Sequence, residues 1–158
     1  MRDNILSSSE VVQIAFSDGA YIAPDTIAEA DIAVATARWV TPVVGEPLLQ
    51  AVAAGKYPAL KSDYLAPAIA LYTRLLVQPR LNGATGQLGL SVVSTSTQRA
   101  ADEALRAEVK RAVKERARAA LKQLSAYLEA HKSEHKEYDS RSNILNRVSC
   151  DGGFVQIL

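Results

Sequence analysis

Apolar positions recur at steps of three or four along most of this chain, which predicts helices, and switch to alternation around Leu88, Leu90 and Val92, which predicts a strand. Ser7-x-x-Glu10 spells a capping box, so a first helix is expected over residues 8–16. Asp18-Gly19 makes a turn, and a second capping box, Thr26-x-x-Glu29, opens a helix that keeps Ile32, Ala35 and Trp39 on one stripe, flanked by Ile27 and Val34. Pro42 should kink or end it, with Gly45 as a stop. Glu46-Pro47 restarts a helix that carries Leu48, Leu49 and Val52 to Gly55. Tyr57-Pro58 then reads as a linker, and Ser62-Asp63 as the cap of an apolar helix that closes near Pro79. Being apolar on most faces, that helix is the expected buried centre.

The longest periodic stretch covers residues 100–132. Leu105, Val109, Val113, Ala117, Ala120, Leu124 and Leu128 fall at steps of three or four, as one stripe. At ~1.5 Å per residue it would run about 50 Å, more than a small body needs, so its far end is expected to pack on a second subunit. The two long helical stretches are joined by eighteen residues, Leu81 to Gln98, without one charged side chain. Its Val, Leu, Thr and Ser content favours an extended strand, and residues 82–97 could span about 50 Å. An uncharged, strand-prone arm of this kind is built to pair with a neighbour. Gly83-Ala84-Thr85-Gly86 should start it as a turn, residues 88–95 should form its strand, and Leu88, Leu90, Val92 and Val93 are the candidate contacts. The tail, 133–158, is polar until Asn143 and ends in the strand-like Phe154-Val155-Gln156-Ile157-Leu158, which is expected to be docked. The fold expected is all-α: one domain of four to five helices over residues 1–158, with one long C-terminal helix, the arm and the tail.

Length and composition add bounds. A chain of 158 residues suits one core, and its few aromatics leave that core to Ala, Leu, Val and Ile. A single Cys excludes an intramolecular disulfide framework and a Cys-based zinc site. With no signal-like segment near Met1 and no apolar run of about 18 residues, an intracellular protein off the membrane is expected. The net charge of +1 hides a polarity: residues 1–55 sum to −5 and residues 99–122 to +4. Such a split suits either two solvated faces or a head-to-tail interface.

Catalytic chemistry is hard to find. His131 and His135 lie four apart, with Glu129 as a conceivable third ligand, but the zinc-protease pattern needs Glu directly after the first His, where Lys132 stands. The pair therefore reads first as a solvated helix end. Cys150 has no nearby His to act as base. Gly83, Gly86 and Gly89 open neither a phosphate loop nor a dinucleotide turn. The basic residues Arg106, Lys110, Arg111, Lys114, Arg116, Arg118 and Lys122 could face phosphates, though they read as scattered around the helix and have no aromatics among them for base stacking. No catalytic residue, metal, cofactor or small-molecule substrate is expected.

In order, the chain offers Trp39-Val40-Thr41-Pro42-Val43-Val44-Gly45 leading to Leu48-Leu49, and an apolar helix closing on Gln78-Pro79-Arg80-Leu81. An uncharged Gly/Ser/Thr arm follows, and a long helix closing on Ala126-Tyr127-Leu128-Glu129. This pattern resembles the head–tail connector (adaptor, or head-completion) proteins of tailed bacteriophages and prophages, over roughly residues 5–128. The resemblance implies a ring, usually dodecameric, that docks beneath the portal, extends its channel and gives tail or stopper proteins a platform. It implies location in the virion neck, assembly in the bacterial cytoplasm, and DNA passing through the lumen without sequence specificity. Arg106, Lys110, Arg111, Lys114 and Arg118 would then face DNA or a partner. The alternative is a helical nucleic-acid-binding or regulatory protein that uses the same basic face.

Overall fold

A computed structural model describes residues 5–17, 22–81, 84–86, 89–91, 103–151 and 154–157, with side chains over 5–17, 22–81 and 103–147. The described elements are helical apart from two short hairpins, so the all-α class holds. Helix α1, Ser8–Ala15, begins at the expected capping box: the Glu10 N–H donates to Ser7 Oγ at 3.3 Å, and the Ser7 N–H to Glu10 Oε2 at 2.7 Å. The bond from the Ser7 N–H foremost, and the Ser7 hydroxyl, which also donates to Glu10 Oε2 at 2.8 Å, hold the Glu10 carboxyl below its ordinary range.

Thr26 does not cap the second helix. Pro24–Thr26 forms a short 3-10 turn, and α2, Glu29–Ala35, starts after Ala28, whose N–H is met by the Asp31 carboxylate at 3.1 Å. A proline at position 24 fixes its own turn, and the acid three residues into the next helix then does the capping. Pro42 does not end the helix either. The chain stays helical from α2 through a π-turn, Thr36–Val40, into α3, Thr41–Val44, and stops at Gly45 with φ +84°. The wide turn lets the Thr41 N–H reach the Thr36 carbonyl one residue further back. The Thr41 hydroxyl donates to that carbonyl as well, at 3.1 Å. A proline that would clash with the carbonyl four residues before it is accommodated by such a bulge.

Helix α4, Glu46–Ala53, follows as expected and ends before Gly55 with φ +88°. Pro58 is not a linker residue but opens α5, Pro58–Leu60, after Tyr57 turns left-handed at φ +56°. Ser62 and Asp63 are not caps; they lie in a second π-turn, Lys61–Leu65, which feeds α6, Ala66–Leu81. This π-turn again ends two residues before a proline, Pro67. Pro79 sits within the last turn of α6, which closes at Leu81, near Pro79 as expected. Helix α6 buries Ala68, Ile69, Ala70 and Leu71 and packs against α1, α2 and α7, Glu103–Ala130. The core joins α1, α2, the first π-turn, α3, α4 and α6 to the second half of α7, with Leu48, Ile69, Leu124 and Leu128 among its fully enclosed side chains.

Of the turn expected at residues 83–86, Gly83 lies outside the described residues and Ala84–Gly86 form a strand. β1, Ala84–Gly86, pairs antiparallel with β2, Gly89–Ser91, in the register Ala84↔Ser91 and Gly86↔Gly89. Backbone groups of an uncharged strand need partners, and a nearby strand of the same chain supplies them. Of the expected 88–95 strand, Gly89–Ser91 form β2, with Leu90 at its centre; Leu88, Val92, Val93 and the remaining residues lie outside the described ones. Beyond α7 the chain runs through turns to a 3-10 turn, Ile144–Asn146, and a second hairpin of β3, Val148–Asp151, with β4, Phe154–Ile157.

Candidate functional site

Helix α7 divides into two parts. Val113, Ala117, Leu121, Leu124, Ser125 and Leu128 are buried, whereas residues 103–112 bury none of their side chains fully and Leu105 is 50% exposed. The stripe expected from the sequence is thus a core stripe from Val113 onward only, although steps of four drift about 40° around the helix each time. Leu105 and the half-buried Val109 lie on the part of the helix where no face is fully buried, and Leu121, which the stripe omits, is buried.

The same drift orders the basic residues. Arg106, Lys110, Lys114, Arg118 and Lys122 are spaced by four, so they form a turning ridge whose two ends lie about 160° apart, spread around the helix as expected. Lys110, Lys114, Arg118 and Lys122 are exposed and Arg106 is half-buried; Arg111 is exposed beside the ridge. Neighbouring members of such a ridge can present positive charge together to a partner or to phosphates.

At its other end α7 is held by the tail. Asn143 is fully buried; its Nδ2 donates to Ser125 Oγ at 2.8 Å and to Tyr138 Oη at 2.7 Å, and its Oδ1 accepts the Leu145 N–H at 2.9 Å. Tyr138 donates onward to Glu129 Oε1 at 2.6 Å, Ser140 donates to Glu129 Oε2 at 2.9 Å, and Asn146 also donates to Glu129. Burial pushes the Glu129 carboxyl up, but the bonds from Tyr138, Ser140 and Asn146 together outweigh it and leave it below the ordinary value. Burial first, and then the Glu129 carboxylate, push the Tyr138 hydroxyl up to about 12.

His131 and His135 fall in the turns after α7, not on one helix face. His131 stacks on Tyr127, with Nδ1 at 3.0 Å from the Tyr127 carbonyl. His135 stands edge-on to Tyr57, 4.6 Å between ring centres, and is 4% exposed, with neither ring nitrogen hydrogen-bonded. Burial lowers its pKa, which keeps the ring neutral. Nearby, Glu137 accepts from Lys56 Nζ at 2.9 Å and from the Tyr57 hydroxyl at 2.8 Å; these bonds hold its carboxyl down to about 2. Glu129, the conceivable third ligand, is engaged by the tail. Among the described residues no three His, Cys, Asp or Glu side chains converge as a metal site would require. Cys150 is placed in β3, with its side chain outside the described residues.

Residues 40–147 match the model of a family described as a family of unknown function, DUF6712. The chain belongs to that family. No curated protein and no solved structure matches it. The matched DUF6712 segment takes in α7 whole and stops just past the Asn143 network, so the helix and the residues that lock its end lie inside one family unit. Among the described residues no helix is long and apolar enough to cross a membrane. The tail network was not legible in the sequence, where residues 133–142 look uniformly polar; the signals were Tyr138, spaced three from His135, and Asn143.

Proposed function

We propose that the chain is a structural protein of tailed bacteriophages or prophages: a head–tail connector that assembles head to tail into a ring, dodecameric on the portal. There it extends the DNA channel and attaches the tail or a stopper. The observation that supports this best is the overhang of α7. The helix has 28 residues, about 42 Å, yet only its part from Val113 onward is buried in the core. Surplus rigid surface of this kind is what a subunit needs when its work is to hold neighbours. The unequal charge of residues 1–55 and 99–122 supplies a heterologous contact, which ring closure requires. The uncharged arm, residues 82–97, adds a further contact in this reading, with Leu88, Leu90, Val92 and Val93 packing on the next subunit. DNA passes the basic ridge without sequence recognition. No bond is made or broken, and no cofactor, small-molecule substrate or membrane takes part. The protein then belongs in the virion neck, after assembly in the bacterial cytoplasm.

The test is co-expression with the portal protein whose gene should lie beside this one, followed by electron microscopy. A ring of this chain seated on the portal is the expected outcome; a portal that never retains it would refute the proposal. The ridge from Arg106 to Lys122 also favours a second reading, a helical nucleic-acid-binding or regulatory protein. That reading predicts salt-dependent DNA binding by the isolated protein, weakened by charge reversal at Lys110, Arg111 and Lys114. Absence of binding at low salt would remove it.

A further inference from the structure

A groove of about 620 Å³ runs between the helical segment 29–44 and α4. Its wall is small and mostly apolar: Ala33, Val34 and Ala37 face Leu49, Ala53 and Ala54. It lies where the π-turn Thr36–Val40 interrupts the helix, and Thr36 and Thr41, the two ends of the wide turn, both line it. Bulges of this type recur at functional positions. Val34 is 49% exposed, the reverse of a core position, and Leu105 on the α7 overhang is the other strongly exposed large aliphatic residue among the described side chains.

We infer that this groove receives the α7 overhang of a second copy of the chain. Leu105, Val109 and Ala112 lie at i, i+4 and i+7 and therefore share one face, the spacing by which a helix anchors in a groove. Small residues along the groove let a helix backbone approach closely. The charges agree in sign. Glu46 lines the groove, and the chain around it, residues 1–55, carries −5; the overhang, residues 103–112, bears Arg106, Lys110 and Arg111 against Glu103 and Glu108. The two surfaces share no residue, so the contact is heterologous, and each copy offers both halves. The inference rests on the ring reading for its self-association but not for portal attachment.

The test is site-directed disulfide trapping in a Cys150→Ser background. Ala37→Cys and Leu105→Cys proteins are purified separately and mixed with a mild oxidant at about 1 mM, the dissociation constant of a weak contact. Both positions are exposed, and circular dichroism checks that each variant folds. The expected result is a mixed 37–105 dimer on a non-reducing gel, at least about tenfold above the dimer formed by either variant alone, a decade in occupancy. Its yield should fall with added salt. No mixed dimer, dimers within each variant alone, or a link from Leu90→Cys in place of Leu105→Cys would each overturn the assignment. Portal attachment is scored separately. Rings on the portal without the 37–105 link refute this contact alone, and the link without portal attachment refutes only the connector function.

Discussion

Replacing Asn143 with alanine should unlatch the tail from α7 at a cost that follows from its bonds. The side chain is fully buried and makes three of them: 2.8 Å to Ser125, 2.7 Å to Tyr138 and 2.9 Å from the Leu145 N–H. A net hydrogen bond contributes about 1 kcal/mol, and a buried partner left unpaired costs about 1–3 kcal/mol. Tyr138 keeps its bond to Glu129, so its loss is partial, whereas Ser125 is buried and loses the partner described here. The last bond also caps the 3-10 turn Ile144–Asn146, and caps contribute about 1 kcal/mol. The total is about 3 kcal/mol, which for a chain of 158 residues lowers the melting temperature by about 6–12 °C. Urea denaturation and calorimetry of Asn143→Ala, beside Ser133→Ala at an exposed turn position, measure it. A loss under about 1 kcal/mol would refute the view that this network locks the tail.

Two leucines on α7 should behave differently: Leu128→Ala, fully buried, should cost about 2–5 kcal/mol in a denaturant titration, and Leu105→Ala less than about 0.5. Equal costs would mean that the overhang is part of the core. Acid should weaken the fold through His135: its folded pKa lies below the unfolded value of 6.5, so the unfolded chain takes the proton first and stability falls as pH drops through and below 6.5. The groups around it are His131, Glu134 and Glu137; Glu137, held down to about 2, stays charged throughout. Denaturation midpoints at about pH 7.5 and 5.5 should therefore converge in His135→Phe, and an unchanged pH dependence would contradict this assignment. Charge reversal at Lys110, Arg111 and Lys114 should leave the melting temperature within a few degrees, because all three are exposed, while lowering association with DNA or partners.

Where local chemistry decided the structure, it could be read from the chain. The Ser7–Glu10 box, the Gly45 stop and the apolar α6 depend on residues within a turn or two of one another. Pro42 did not end its helix because it follows a π-turn that absorbs the clash a proline makes in a regular α-helix, and Pro67 follows a second such turn. No sequence period marks such a turn. The α7 stripe holds from Val113 onward; Leu105 and Val109 belong to the overhang, which carries the same apolar period as a buried stretch and so is not distinguished from one by pattern. The tail's network stayed hidden because buried polar groups bonded across a turn have no hydrophobic signature, and only Asn143, enclosed among Ser125, Tyr138 and Leu145, makes it coherent.

The central claim is that this chain works by assembling on a portal. Electron microscopy of the purified chain mixed with the portal protein whose gene should lie beside its own tests this most directly. The account predicts a dodecameric ring of the chain stacked on the portal, with the basic ridge of α7 accessible to the channel or to the adjoining subunit. A portal that emerges bare, from a mixture in which this chain stays monomeric, would contradict it.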